Sequence, residues 1–191
     1  MKEEKTTFKR LKMLPVLFRK QDCEKVAPYS TVFLSRAVKS GLITRLNRGN
    51  YINSFLYGFP NLEQVACFLK PPAYISCEWA LNHHGISLQV PHVCTVITLS
   101  GAVGKGRDVE YQGIRIEFSR IAPKLFNGFT VSGNVNMALP EKAILDTLYL
   151  HGKIAAEDEL EIDSIDFGVL MKMSHNYPKS IQKYVQEKYH A

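Results

Sequence analysis

The stretch Ser30-Thr-Val-Phe-Leu-Ser-Arg-Ala-Val-Lys-Ser-Gly41, running into Leu42-Ile-Thr-Arg-Leu-Asn-Arg-Gly-Asn-Tyr51, constrains the fold more than any other part of the chain. Phe33, Leu34, Ala37 and Val38 recur at helical spacing and define an apolar face, while Thr31, Ser35, Arg36 and Lys39 fall on the opposite one. Ser30 is placed to cap this helix and Gly41 to end it in the left-handed conformation. Beyond the glycine, Ile43, Leu46 and Tyr51 are set to face inward from a two-stranded hairpin turning through Asn47-Arg-Gly-Asn50, with Arg45 and Arg48 at its flank and tip. A capped helix followed by a basic hairpin is the working end of a winged helix-turn-helix. Short hydroxyls and long cations on the outward face suit base edges in a major groove, and a basic hairpin suits the phosphate backbone.

The residues before it complete the pattern. Phe8, Leu11 and Leu14 mark one stripe of a first helix, with Lys9 and Arg10 mostly off it, and Pro15 ends it. Val16-Leu-Phe18 can pair as a short strand, and a second helix spans about Arg19 to Val26, stopped by Pro28.

Charge is concentrated at the same end. Residues 1–52 hold twelve Lys/Arg against four acids, a net +8, whereas the whole 191-residue chain carries +6, leaving −2 for residues 53–191. Such asymmetry points to a polyanion for the N-terminal segment and a different partner for the rest. No apolar run approaches the roughly 20 residues that span a bilayer, and Met1-Lys-Glu-Glu-Lys has no apolar signal core. Cys23, Cys67, Cys77 and Cys94 have irregular spacing in a chain large enough to bury a core, so they read as reduced thiols of a cytoplasmic protein.

The remainder reads as helices around a small, mostly antiparallel sheet, giving an α+β chain. Residues 54–60 form a linker, with a DNA-binding domain over 1–56 and an interaction domain over 57–191. Asn61 caps a helix through Leu69, and Ser76 caps another from Cys77 to His84. His92–Leu99 is a strand, Val109–Phe118 a hairpin about Gln112-Gly113, and Phe129–Val131 a further strand. Pro140 opens a strong helix, and two more follow at about Ser164–Ser174 and Pro178–Tyr189.

Three segments resemble the AbiEi antitoxin family of type IV toxin–antitoxin (abortive infection) systems. They are Gly41–Tyr51, similar to its wing, Tyr74-Ile-Ser-Cys-Glu-Trp-Ala-Leu-Asn-His-His-Gly85, and Pro140-Glu-Lys-Ala-Ile-Leu-Asp146. They follow the family's order and cover most of the chain. The resemblance implies a winged helix that represses its own operon and a C-terminal domain that neutralises a nucleotidyltransferase-like toxin. It places DNA contacts on the outward face of the 30–40 helix and on the wing. The expected DNA-binding set is therefore Thr31, Ser35, Arg36, Lys39, Arg45, Asn47, Arg48 and Asn50, joined by Lys9 and Arg10. The expected partners are double-stranded DNA, as an operator of inverted repeats, and the cognate toxin, bound by a monomer or weak dimer with no membrane involved.

Other constellations are weaker. Gly101-Ala-Val-Gly-Lys-Gly106 is followed by Arg107 and a strand, not by the Ser/Thr and helix of a P-loop, although Lys105 and Arg107 can touch nucleic acid. Cys67, Cys77, His83, His84, His92 and Cys94 lack close metal-ligand spacing; His84 is placed to bond the last carbonyls of its own helix. Glu157, Asp158, Glu159, Glu161, Asp163 and Asp166 read as a solvated acidic loop or a docking site for a basic partner. Glu141 and Asp146 serve a helix terminus and a buried hydrogen bond. No catalytic residue, metal or cofactor is expected. A nuclease-like enzyme with a winged-helix targeting domain, and a ligand-sensing regulator, are the alternatives.

Overall fold

In the computed structural model the described residues are 2–104, 106–155 and 157–189. The fold is mixed α and β, with three-stranded and six-stranded sheets. The chain divides into two compact units, 1–65 and 66–191.

In the first unit the order is α1 (Lys2–Lys12), β1 (Leu17–Arg19), α2 (Lys20–Val26), α3 (Ser30–Lys39), β2 (Thr44–Asn47) and β3 (Asn50–Ile52). β3 lies between β1 and β2, antiparallel to both, so β1 closes the hairpin on its second side. Phe18 pairs with Tyr51 across the sheet, and their rings stack at 5.5 Å. They join Leu11, Leu14, Cys23, Phe33, Leu34, Ala37 and Ile43 in one core. Asn53 is fully buried; its amide donates to Leu11 O at 2.8 Å and Leu14 O at 3.2 Å, closing the end of α1.

Two details of α3 differ from expectation. Tyr29, not Ser30, occupies the N-cap, without a side-chain cap bond, and Ser30 is a buried first-turn residue. Val38 is 37% exposed, because the apolar face is narrower than the sequence period suggests. The glycine stop is as expected. Gly41 has φ 71°, and the Gly41 and Leu42 amides donate to Val38 O at 3.1 Å and Ala37 O at 3.0 Å, the paired bonds of a Schellman motif.

α4 (Leu62–Leu69) contains the boundary between the units. Asn61 and Gln64 cap it reciprocally, Asn61 Oδ1 accepting from the Gln64 amide at 2.8 Å and Gln64 Oε1 from the Asn61 amide at 3.1 Å.

The second unit continues with β4 (Ala73–Ser76), α5 (Cys77–His83), β5 (Val93–Thr98), β6 (Val109–Tyr111), β7 (Ile114–Arg120), β8 (Phe129–Ser132), β9 (Val135–Ala138), α6 (Pro140–His151), α7 (Phe167–Ser174) and α8 (Lys179–Tyr189). The strand order is β6-β7-β5-β4-β9-β8. Three of the pairings are antiparallel, and β5–β7 and β4–β9 are parallel. β4 and β9 are absent from the sequence expectation. All four β4 residues are buried, so no polar alternation betrays the strand.

α6 is buried along Glu141–Leu148, including three charged side chains. Ser76 occupies the N-cap position of α5, but its hydroxyl donates to Asp146 Oδ2 at 2.8 Å instead of capping. α7 begins at Phe167, not Ser164, because the Asp166 carboxylate accepts from the Val169 amide at 2.9 Å and fixes the start there. No helix among the described residues is long and apolar enough to cross a membrane.

Candidate nucleic-acid interface

Two elements of the first unit create a concave basic surface. α3 turns Phe33, Leu34 and Ala37 inward, which leaves Thr31, Ser35, Arg36 and Lys39 exposed along its other side. Ten residues of helix span about 15 Å, enough to lie in a B-form major groove. The hairpin stands beside it. Its two-residue turn, Arg48-Gly49, uses glycine at φ 91° and holds Arg48 in solvent. Arg45 is steadied by donation from Nε to Asn47 O at 3.1 Å.

Between helix and hairpin lies a groove of about 490 Å³ lined by Lys20, Thr31, Leu34, Ser35, Val38, Lys39, Arg45, Arg48, Gly49 and Tyr51. Five of the expected contact residues, Thr31, Ser35, Lys39, Arg45 and Arg48, therefore share one surface. Among the described residues none of Lys39, Arg45 and Arg48 has an acidic partner, so their charge is open to an outside anion. Their spacing along a groove suits a polyphosphate better than a single small anion.

The other expected residues lie apart from it. Arg36 is exposed on α3 but does not line the groove. Asn47 and Asn50 face each other across the base of the turn, Asn50 Nδ2 donating to Asn47 Oδ1 at 2.7 Å. Lys9 is exposed on α1, and Arg10 is half-buried on the side where its charge acts on the Cys23 thiol of α2.

Two lining residues escape sequence reasoning. Lys20 reaches the groove because its amide donates to Gly49 O at 2.9 Å, tying the start of α2 to the hairpin turn. The signal was available in the pairing of β1 with β3, which a sequence read one element at a time does not supply. Lys20 also pairs with Glu24 at 3.6 Å. Val38, read as core, lines the groove instead.

The constellations in the second unit resolve differently. The Gly101–Gly106 segment joins β5 to β6, closed by Arg107 N donating to Gly104 O at 3.1 Å; Lys105 lies outside the described residues. Of the six Cys and His weighed for metal, only Cys77 joins a donor cluster among the described residues, and its companions are Glu78 and His151. His84 is the C-cap of α5 through its backbone amide, but its imidazole does not bond the last carbonyls of that helix; its Nε2–H donates to Ala138 O at 2.7 Å.

The acidic loop is not simply solvated. Glu157 accepts from the Tyr184 hydroxyl, from the Tyr189 hydroxyl at 2.6 Å, and pairs with Lys188 at 3.4 Å. Asp166 caps α7, while Glu161 and Asp163 are exposed. Glu141 accepts from the Asp166 amide at 2.9 Å, which turns it from a helix-start charge into a tertiary contact.

The chain matches no protein-family model, and comparison with curated proteins yields no match.

Proposed function

We propose that this chain is a non-enzymatic, cytosolic DNA-binding protein that represses its own operon and serves as the antitoxin of a type IV toxin–antitoxin system. The observation that carries the DNA half is the groove in which Lys39, Arg45 and Arg48, without acidic partners among the described residues, line one wall-to-wall surface with Thr31 and Ser35. In this reading α3 enters the major groove, and the hairpin lies along the backbone. The antitoxin half rests on the three AbiEi-like segments, and its partner is a nucleotidyltransferase-like toxin.

The test is a binding titration of the purified chain against the DNA upstream of its own gene and a scrambled duplex, at low and moderate salt. Tight, salt-sensitive and sequence-selective binding supports the repressor reading; equal binding of both duplexes refutes it. For the antitoxin half, co-expression must relieve growth arrest by a nucleotidyltransferase-like protein encoded beside it.

A cavity of about 440 Å³ in the second unit, lined by Glu78, Gln89, Arg115, Glu117 and His151 among others, favours a ligand-sensing regulator as the second reading. Ligand-dependent DNA affinity without toxin neutralisation would select it.

A further inference from the structure

Glu78 and His151 line that cavity, and the buried Cys77 thiol meets them behind its wall. Their donor atoms, a thiol sulfur, a carboxylate oxygen and an imidazole nitrogen, lie within 4.8 Å of one another. Two helices bring them together: Cys77 and Glu78 open α5, and His151 closes α6. Cys77 sits at the β4–α5 turn with φ 56°, a left-handed conformation that costs a non-glycine residue on the order of 1–3 kcal/mol. The turn sets its side chain wholly inside, while Glu78 and His151 stay 34% and 36% exposed and line the cavity.

We propose that Cys77, Glu78 and His151 form a binding site for one zinc ion, with a fourth coordination position open towards the cavity. Thiolate, imidazole and carboxylate are the donors zinc prefers, at roughly 2.0–2.3 Å in a tetrahedron. Ideal donors then stand about 3.5 Å apart, so closing around the ion requires the three to approach by about an ångström. His151 Nδ1 already lies 3.2 Å from Glu78 Oε1, and both side chains have the freedom of partial exposure.

The surroundings fit a dication. Glu78 and Glu117 line the cavity beside His151. A dication balances the two anionic donors, the Cys77 thiolate and the Glu78 carboxylate, that would hold it. On binding, the sulfur–zinc bond replaces the S–H bond and its proton leaves to solvent, while the His151 proton shared with Glu78 shifts from Nδ1 to Nε2 so that Nδ1 can take the ion. Glu117 then acts as an outer partner, held by donation from Thr95 Oγ1 at 2.9 Å. Three protein donors with an open fourth position leave room for water or an anionic ligand group in the cavity. The site stands whether or not the first unit binds DNA.

Cobalt(II) titration of the chelator-stripped, full-length chain tests this. One equivalent should produce the intense visible bands of a four-coordinate ion and a sulfur-to-cobalt charge-transfer band, both removed by one equivalent of zinc. Cys77→Ser should delete the charge-transfer band, whereas Cys23→Ser in the first unit should leave it. Glu78→Gln and His151→Ala replace partly exposed side chains, so they keep the test valid if Cys77→Ser does not fold. Each should weaken cobalt binding at least as much as the roughly tenfold lost with an outer partner. The folded chain giving no thiolate band, a band that survives Cys77→Ser, or only the weak spectrum of a six-coordinate ion would overturn the proposal.

Discussion

Lys142 Nζ lies 2.5 Å from Asp146 Oδ1, one helical turn along α6, with the two side chains 1% and 0% exposed. Every oxygen of this carboxylate is occupied. Oδ1 also accepts from the Tyr177 hydroxyl at 2.7 Å, and Oδ2 from Ser76 at 2.8 Å and Tyr74 at 3.0 Å. The network thus ties α6 to β4 and to the turn before α8. Burial presses the Lys142 ammonium down from its ordinary value while Asp146 pulls it up. Removing one member leaves the other charge buried without its partner, which costs about 3–5 kcal/mol. Asp146→Ala should lose that much in urea unfolding, and a joint Lys142→Leu/Asp146→Leu exchange should recover part of it. A loss under about 1 kcal/mol for Asp146→Ala would mean the pair behaves as a surface pair.

The groove predicts two kinds of DNA variant. Arg45→Ala and Arg48→Ala should weaken operator and scrambled duplex alike, each lowering the salt dependence of affinity by about one unit. Arg36→Ala should cost about 1–3 kcal/mol on the operator and little on the scrambled duplex. Titrations at several salt concentrations separate the two, and an unchanged affinity would remove Arg36 from the interface.

Alkaline stability follows from Cys23. Burial, and then the charge of Glu24, push this thiol up from 9.0 to about 11 against the opposing charge of Arg10. The folded chain keeps its proton where the unfolded chain has lost it. Stability from this site is therefore intact below the unfolded value and falls as pH rises from about 9 to about 11, by roughly 2–3 kcal/mol at most. Urea unfolding across that range should show a steeper decline for the parent than for Cys23→Ala. Parallel curves would contradict it.

Gly128 and Gly152 both have left-handed backbones, with φ 72° and 76°, but differ in their surroundings. A Cβ on Gly128 would stand 2.4 Å from Met173 Cε and 3.3 Å from Lys142 Cβ, whereas one on Gly152 meets nothing within 4 Å. Gly152→Ala should cost only the left-handed penalty, roughly 1–2 kcal/mol. Gly128→Ala should cost more, because the Met173 side chain must swing aside and the Lys142 stem must give by a few tenths of an ångström. Equal losses in thermal unfolding would contradict this packing.

The N-terminal unit was legible because its information is local. The period of Phe33, Leu34 and Ala37, the glycine after α3 and the Arg48-Gly49 turn each speak within a few residues. In the second unit the decisive contacts are distant. Glu78 meets His151 across 73 residues, and Ser76 meets Asp146 across 70. Ser76 reads as a cap until a carboxylate from another helix claims its hydroxyl. Glu157 reads as solvated until the tyrosines of α8 reach it. β4 has no period to read, since both of its faces are covered.

The most direct test of the DNA reading is the salt dependence of operator binding for the parent chain and for a Lys39→Ala/Arg45→Ala/Arg48→Ala variant. The account predicts a steep slope for the parent, a slope lower by about three for the variant, and an unchanged fold by circular dichroism. Identical slopes in two folded proteins would show that the groove does not touch phosphate, and the repressor reading would fall with it.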